Sequence, residues 1–167
     1  MKNHEILYDS SAASCFVGHS FGNSIGEGSP NQQLGQMMLS LADGRPMIAD
    51  RTLVNAIPGG ESKIAHVVEG PVTNLKAQGV GTWGTWLEAR HYMKDNNLSN
   101  IVVVFAQQSH LPRVVKQGNK LGIESILPEN SVTDFDKTSD QVWTRSPYLW
   151  IPFNALGSLL LKKRGQL

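Results

Sequence analysis

The sequence predicts a three-layer α/β fold, Rossmann-like in the broad sense, with a mostly parallel central sheet of about five strands. Three observations carry this. Short β-branched runs alternate with amphipathic stretches, as when helices join parallel strands. Residues 100–121, NIVVVFAQQSHLPRVVKQGNKL, show the pattern most clearly: a buried strand, a polar turn, then a helix. A glycine-rich loop from Gly18 to Gly28 follows the first apolar run, where glycine lets backbone approach a ligand closely.

The elements follow in order. Ser14 to Gly18 reads as a short buried strand. After the glycine-rich loop, Ser29 as N-cap and Pro30 at the first helical position start a helix. Leu34, Met37, Met38 and Leu41 recur at helical spacing, and Gly44 closes it. Met47–Ala49 and Thr52–Ile57 together suggest a second strand, split around Asp50-Arg51 and broken by Pro58-Gly59-Gly60. Ile64 to Glu69 is a third strand, with Glu69 at its carboxyl end. Residues 71–84 form a loop, and Thr85 to Asp95 a helix. The 100–121 unit comes next. Ile123 to Leu127 is a last strand, ending at Pro128. The polar span Glu129 to Ser146 reads as an extended surface loop, and Pro147 to Arg164 as an apolar helix.

Length and composition narrow the class. A chain of 167 residues suits one domain, 1–167, with a substantial core. Fifteen basic and 14 acidic residues leave a formal charge of +1, with no broad basic field for nucleic acid. Cys15 stands alone, so no internal disulfide is possible, and its apolar neighbours Phe16 and Val17 mark it as a small buried hydrophobe. The N-terminus, MKNHEILYDSSAAS, lacks the basic-then-apolar order of a signal peptide. Leu149 to Leu161 is interrupted by Pro152, Asn154 and Gly157 and is too short to span a bilayer. The expectation is a cytoplasmic protein without a membrane span or nucleic-acid partner; the oligomeric state stays open. The histidines at 4, 19, 66, 91 and 110 show no HxH or HExxH spacing, so no metal site is expected.

Ligands of open α/β sheets bind at the carboxyl ends of strands, beside helix N-termini. Two turns meet that description. Gln107 to Arg113 carries His110 and Arg113; Gly18-His19-Ser20-Phe21-Gly22 follows strand one. The second matches G-x-S-x-G by letter, which would make Ser20 a hydrolase nucleophile at a strand-to-helix elbow. An elbow leads directly into a helix, however, and here Gly26, Gly28 and Pro30 intervene. The same turn is neither GxGxxG nor a Walker loop. The tryptophans fall in two pairs, Trp83/Trp86 and Trp143/Trp150, suited to core or lid packing or to stacking on a base.

The stretch from Gly84 to Ile126 resembles the YdcF/SanA/ElyC-like family, a bacterial domain of unknown function. Thr85 and Glu88-Ala89 match its T-x-x-E-A helix start, His110 and Arg113 its H-x-x-R turn, and Leu121-Gly122-Ile123 its L-G-I/V element. Phe16-Val17-Gly18 resembles its first-strand V-L-G, and Glu69 the acidic residue ending a later strand. Gly84 stands where the family usually has Asn, and residues 31–36 lack its usual Arg. The resemblance implies a Rossmann-like fold and binding of S-adenosylmethionine or another nucleotide-like ligand. SanA-like and ElyC-like members act in envelope integrity and carry a membrane anchor. No reaction is implied.

The leading expectation is a small-molecule-binding protein acting on a nucleotide-like or phosphorylated ligand. Arg113 would pair with an anionic group and His110 would serve as donor or general acid/base. Glu69 or Glu88 would hold a ribose hydroxyl, orient His110 or accept a proton. Gly18, His19, Ser20 and Thr85 complete the ligand-binding set. Two alternatives stand beside it: a serine hydrolase using Ser20, and a non-catalytic envelope or regulatory module using Trp143 and the aromatic C-terminal segment as an interface.

Overall fold

In the computed structural model, which describes residues 10–69 and 81–167, five parallel strands form one sheet. They are β1 (Cys15–Gly18), β2 (Met47–Asp50), β3 (His66–Val68), β4 (Ile101–Phe105) and β5 (Glu124–Ile126), in the order β3-β2-β1-β4-β5. Six helices accompany them: α1 (Pro30–Leu41), α2 (Arg51–Ala56), α3 (Gly60–Lys63), α4 (Thr82–Asp95), α5 (Leu111–Lys120) and α6 (Pro147–Lys163). This is the three-layer, Rossmann-like arrangement expected from the alternating pattern.

Period-2 alternation sorts the central strands onto two faces. Phe16, Ala49, Val103 and Phe105 pack with Leu34 and Met38 of α1 and with Leu53 and Val54 of α2. Cys15, Val17, Ile48, Val102 and Val104 pack with Trp86 and Met93 of α4 and with Val114 of α5. Cys15 is fully buried, and burial pushes its thiol up to about 11.

The strand order reverses between β1 and β4. From β1 the chain builds outward through β2 and β3; β4 then returns to the other side of β1. Val17 pairs with Val104 and Gly18 with Phe105, so the turns after β1 and β4 emerge together. That crevice is the topological switch point at which open α/β sheets bind ligands.

Several local expectations change. Thr52 to Ile57 is not strand. Asp50 ends β2 and caps α2, accepting the Leu53 amide at 3.1 Å. Its β-branched residues suggest a strand, yet Leu53, Val54 and Ile57 bury one side of a helical turn and the segment after it. Helix α4 begins at Thr82 rather than Thr85, and residues 70–80 of the loop expected before it lie outside the described residues. The span 129–146 is irregular, but it is not simply a surface loop. Val132, Asp136, Ser139, Gln141 and Thr144 are buried in it. Asp136 accepts the Ser24 amide at 3.0 Å, and Ser139 donates to the Asn23 side chain at 2.8 Å. Asp136 and Ser139 are interior because they hydrogen-bond to the glycine-rich loop more than 100 positions away.

Gly18 belongs to the packing. A Cβ there would lie 2.3 Å from Leu53 Cδ2 and 3.0 Å from Met38 Sδ, and both of those side chains are fully buried. Gly18→Ala should therefore destabilise the fold by about 1–3 kcal/mol through overpacking, measured by urea denaturation. An unchanged midpoint would mean that Leu53 and Met38 can move aside.

Candidate functional site

A cleft of about 170 Å³ opens at the carboxyl ends of the strands, over the switch point. The β1 turn supplies His19, Ser20 and Phe21; β2 and β3 supply Asp50, Val68 and Glu69. The start of α4 supplies Thr82 and Thr85, and α5 with its preceding turn supplies His110 and Arg113. Gln141, Trp143, Trp150 and Phe153 close the far side.

His19 leaves β1 with its amide donating to Phe105 O at 2.8 Å, a last rung of the β1–β4 ladder. The ring is buried against Trp86, centroids 4.9 Å apart, and neither ring nitrogen has a hydrogen-bond partner among the described residues. Burial first, then the Arg113 charge, push its imidazole down to about 3. His110 sits at the N-cap position of α5 but makes no capping bond. Its Nε2 shares a 3.0 Å hydrogen bond with Thr82 Oγ1, while Nδ1 is unpartnered. Burial, with the Arg113 charge next, holds it well below the usual histidine value. Both imidazoles are neutral near pH 7.

Arg113, in the first turn of α5, reaches under α6. Its guanidinium lies 5.2 Å from the Trp150 ring centroid, a cation–π distance. Its Nε is buried without a partner, and among the described residues no carboxylate forms a salt bridge with it. Burial lowers it to about 10. Gln141 Nε2 is likewise buried and unpartnered at the cleft.

No family model, curated protein or solved structure matches this chain. The chemistry of the cleft rests on its own residues.

Two carboxylates line it, and they differ. Glu69 is exposed and engaged by Arg51, whose Nε donates to it at 3.0 Å while a second guanidinium nitrogen contacts its other oxygen. Arg51 also contacts Glu61, so Glu69 belongs to a surface ion-pair group at the rim. Asp50 sits deeper. It accepts the Ser20 amide at 2.7 Å as well as the Leu53 amide, so one carboxyl ties the β1 turn to the start of α2. Burial raises its pKa, and these amide bonds partly offset that.

Of the residues expected from sequence, His19, Ser20, Glu69, Thr85, His110 and Arg113 line one cleft. Gly18 and Glu88 do not. Glu88 is exposed on α4, its carboxylate 3.5 Å from His66 of β3. Thr85 is not a cap; it lies in the first turn of α4 and donates to Gly81 O at 3.3 Å. Asp50, Thr82 and Gln141 were not foreseen, and Trp150 was expected only as core or lid packing or as a surface for stacking. Of those three, only Asp50 carried a local signal, an acidic residue of the N-cap type directly after the apolar run Met47–Ala49. Among the described residues, no group of three or more His, Cys, Asp or Glu side chains is placed to hold a metal ion.

Ser20 lacks the features of a nucleophile elbow. A left-handed backbone is found only at Asp43 and Asn97 among described non-glycine residues, so Ser20 is not at a strained turn. Nine residues separate it from α1 at Pro30. A fluorophosphonate probe should leave the wild type unlabelled. Labelling abolished in Ser20→Ala would reverse that expectation.

Proposed function

We propose that this chain binds a small molecule carrying an anionic group, of the nucleotide or S-adenosylmethionine class, in the switch-point cleft. The observation that carries the reading is the unpaired Arg113 guanidinium. A partly desolvated cation without a counter-charge among the described residues is costly, and a ligand carboxylate or phosphate would supply the missing partner. Gln141 adds an unpaired donor, and the neutral imidazoles of His19 and His110 can each offer one more. The cleft is thus rich in donors. Asp50 and Glu69 lie across it, suited to accept from ligand hydroxyls such as those of a ribose. The rings of Trp143 and Phe153, stacked 4.4 Å apart, form an aromatic rim against which a base could lie.

Membership in the YdcF-like family is part of the same proposal, supported by the Thr85–Glu88, His110–Arg113 and Leu121–Ile123 motifs. If the cleft is catalytic, His110 would accept a proton rather than supply one, because it is neutral near pH 7. The test is thermal unfolding with a panel of nucleotides, S-adenosylmethionine and sugar phosphates. A ligand that binds only the folded state raises the Tm by mass action. A panel without any shift counts against the reading.

A further inference from the structure

Helix α6 has its polarity reversed. A surface helix normally turns its apolar stripe inward. In α6 the inward positions after buried Trp150 are Asn154, Gly157, Ser158 and Leu161, all half-buried. From Tyr148 to Leu160, every exposed residue is apolar. Tyr148 is 87% exposed, Ile151 64%, Leu156 60% and Leu159 59%, so these side chains have almost no partner within the described domain. Contiguous apolar surface of this kind marks an interaction site.

Charge identifies the partner. Residues 141–167 contain Arg145, Lys162, Lys163 and Arg164 and no acidic residue, so all 14 acidic residues lie elsewhere in the chain. The last turn of the apolar face therefore ends in a purely cationic group, in a chain whose other residues are net negative. We infer that α6 is a docking helix for an anionic lipid surface, with its leucines in the acyl boundary and Lys162, Lys163 and Arg164 among the headgroups. A second copy of the chain could cover the same leucines, but its matching segment carries no acid to meet the cations. At 17 residues α6 is about 25 Å long, short of the hydrocarbon thickness, and it contains Pro152. It lies on a bilayer rather than crossing one; among the described residues no helix is long and apolar enough to cross a membrane. This inference rests on the outer leucines and terminal cations of α6, whereas the ligand reading rests on Arg113 and the cleft beneath Trp150 and Phe153.

Co-sedimentation of the full chain with vesicles tests it. The wild type should pellet with phosphatidylcholine vesicles containing phosphatidylglycerol, far less with phosphatidylcholine alone, and be released by salt. Leu156→Asp/Leu159→Asp should stay in the supernatant. Should that variant unfold, Lys162→Gln/Lys163→Gln/Arg164→Gln, confined to exposed side chains, still decides: partitioning should fall by roughly tenfold to a hundredfold with an unchanged circular-dichroism melt. Failure of the wild type to pellet with anionic vesicles overturns the inference, as does equal binding to neutral vesicles that ignores the glutamine changes. A dimer in sedimentation velocity that Leu156→Asp dissociates, without vesicle binding, overturns it in favour of self-association.

Discussion

Lowering the pH from 7.5 to 5 should reduce the unfolding free energy by roughly 2 kcal/mol through His19 alone. The folded-state value of His19, about 3, lies below the ordinary 6.5 of the unfolded chain. Between those values the unfolded state binds more protons, so stability falls as pH falls through that window and is full above it. His110 is shifted in the same direction and adds to the slope. Asp50 works against both. Its raised folded value means the native state holds the proton more tightly, so its contribution is present at low pH and lost as pH rises through that value. The net acid limb should still be steep, because two buried imidazoles oppose one carboxyl. Urea denaturation across this range measures it, and His19→Leu should flatten the limb. A wild type equally stable at both pH values would mean that the His19 pocket admits a proton without cost.

Arg113→Met should leave the unliganded protein at least as stable as the wild type while cutting its response to ligands with an anionic group by half or more. The guanidinium is partly desolvated and unpaired, so its removal relieves a cost, and the methionine stem can still pack on Trp150. Any ligand present at a hundred times its Kd stabilises the wild type by about 2.7 kcal/mol. Loss of a charge-assisted bond should weaken binding by about 1.5–3 kcal/mol, enough to remove roughly half to nine-tenths of that shift at the same concentration. A second readout separates this from a merely structural role. The Arg113 charge helps depress both histidines, so the variant should show a shallower acid limb. A variant that unfolds without ligand would make Arg113 a structural residue held by Trp150 and α6.

The architecture was legible because periodicity is a local property. The run Ile101 to Phe105 and the Ser29-Pro30 start each declare themselves within a few residues, and the order of strands and helices then restricts topology. The adjacency of the His19 and His110 turns followed from the switch-point rule. What stayed hidden depends on distant partners. The interior place of Asp136 and Ser139 depends on the backbone and side chains of residues 22–24, and polar composition alone reads as surface. Thr52 to Ile57 misled because β-branched residues also suit a short buried helix when an aspartate caps it. Gly18 looked like a ligand-approach glycine, and only the Leu53 and Met38 side chains above it show that the lost Cβ serves packing. Arg113 reads from sequence as a solvated charge or an anion site, and Trp150, 37 positions later, covers it in part.

Cys15 gives the molecule a built-in clock. It is the chain's only cysteine, it lies in the central strand, and its thiol is raised to about 11, so a native molecule offers almost no thiolate to an alkylating reagent. Modification requires that Cys15, fully buried at the start of β1 and paired with Val102 of β4, come out of the core between the sheet and its helices. Mass-resolved alkylation in native buffer would thus count the openings that expose the core at Cys15 molecule by molecule, with no engineered label and no denaturant.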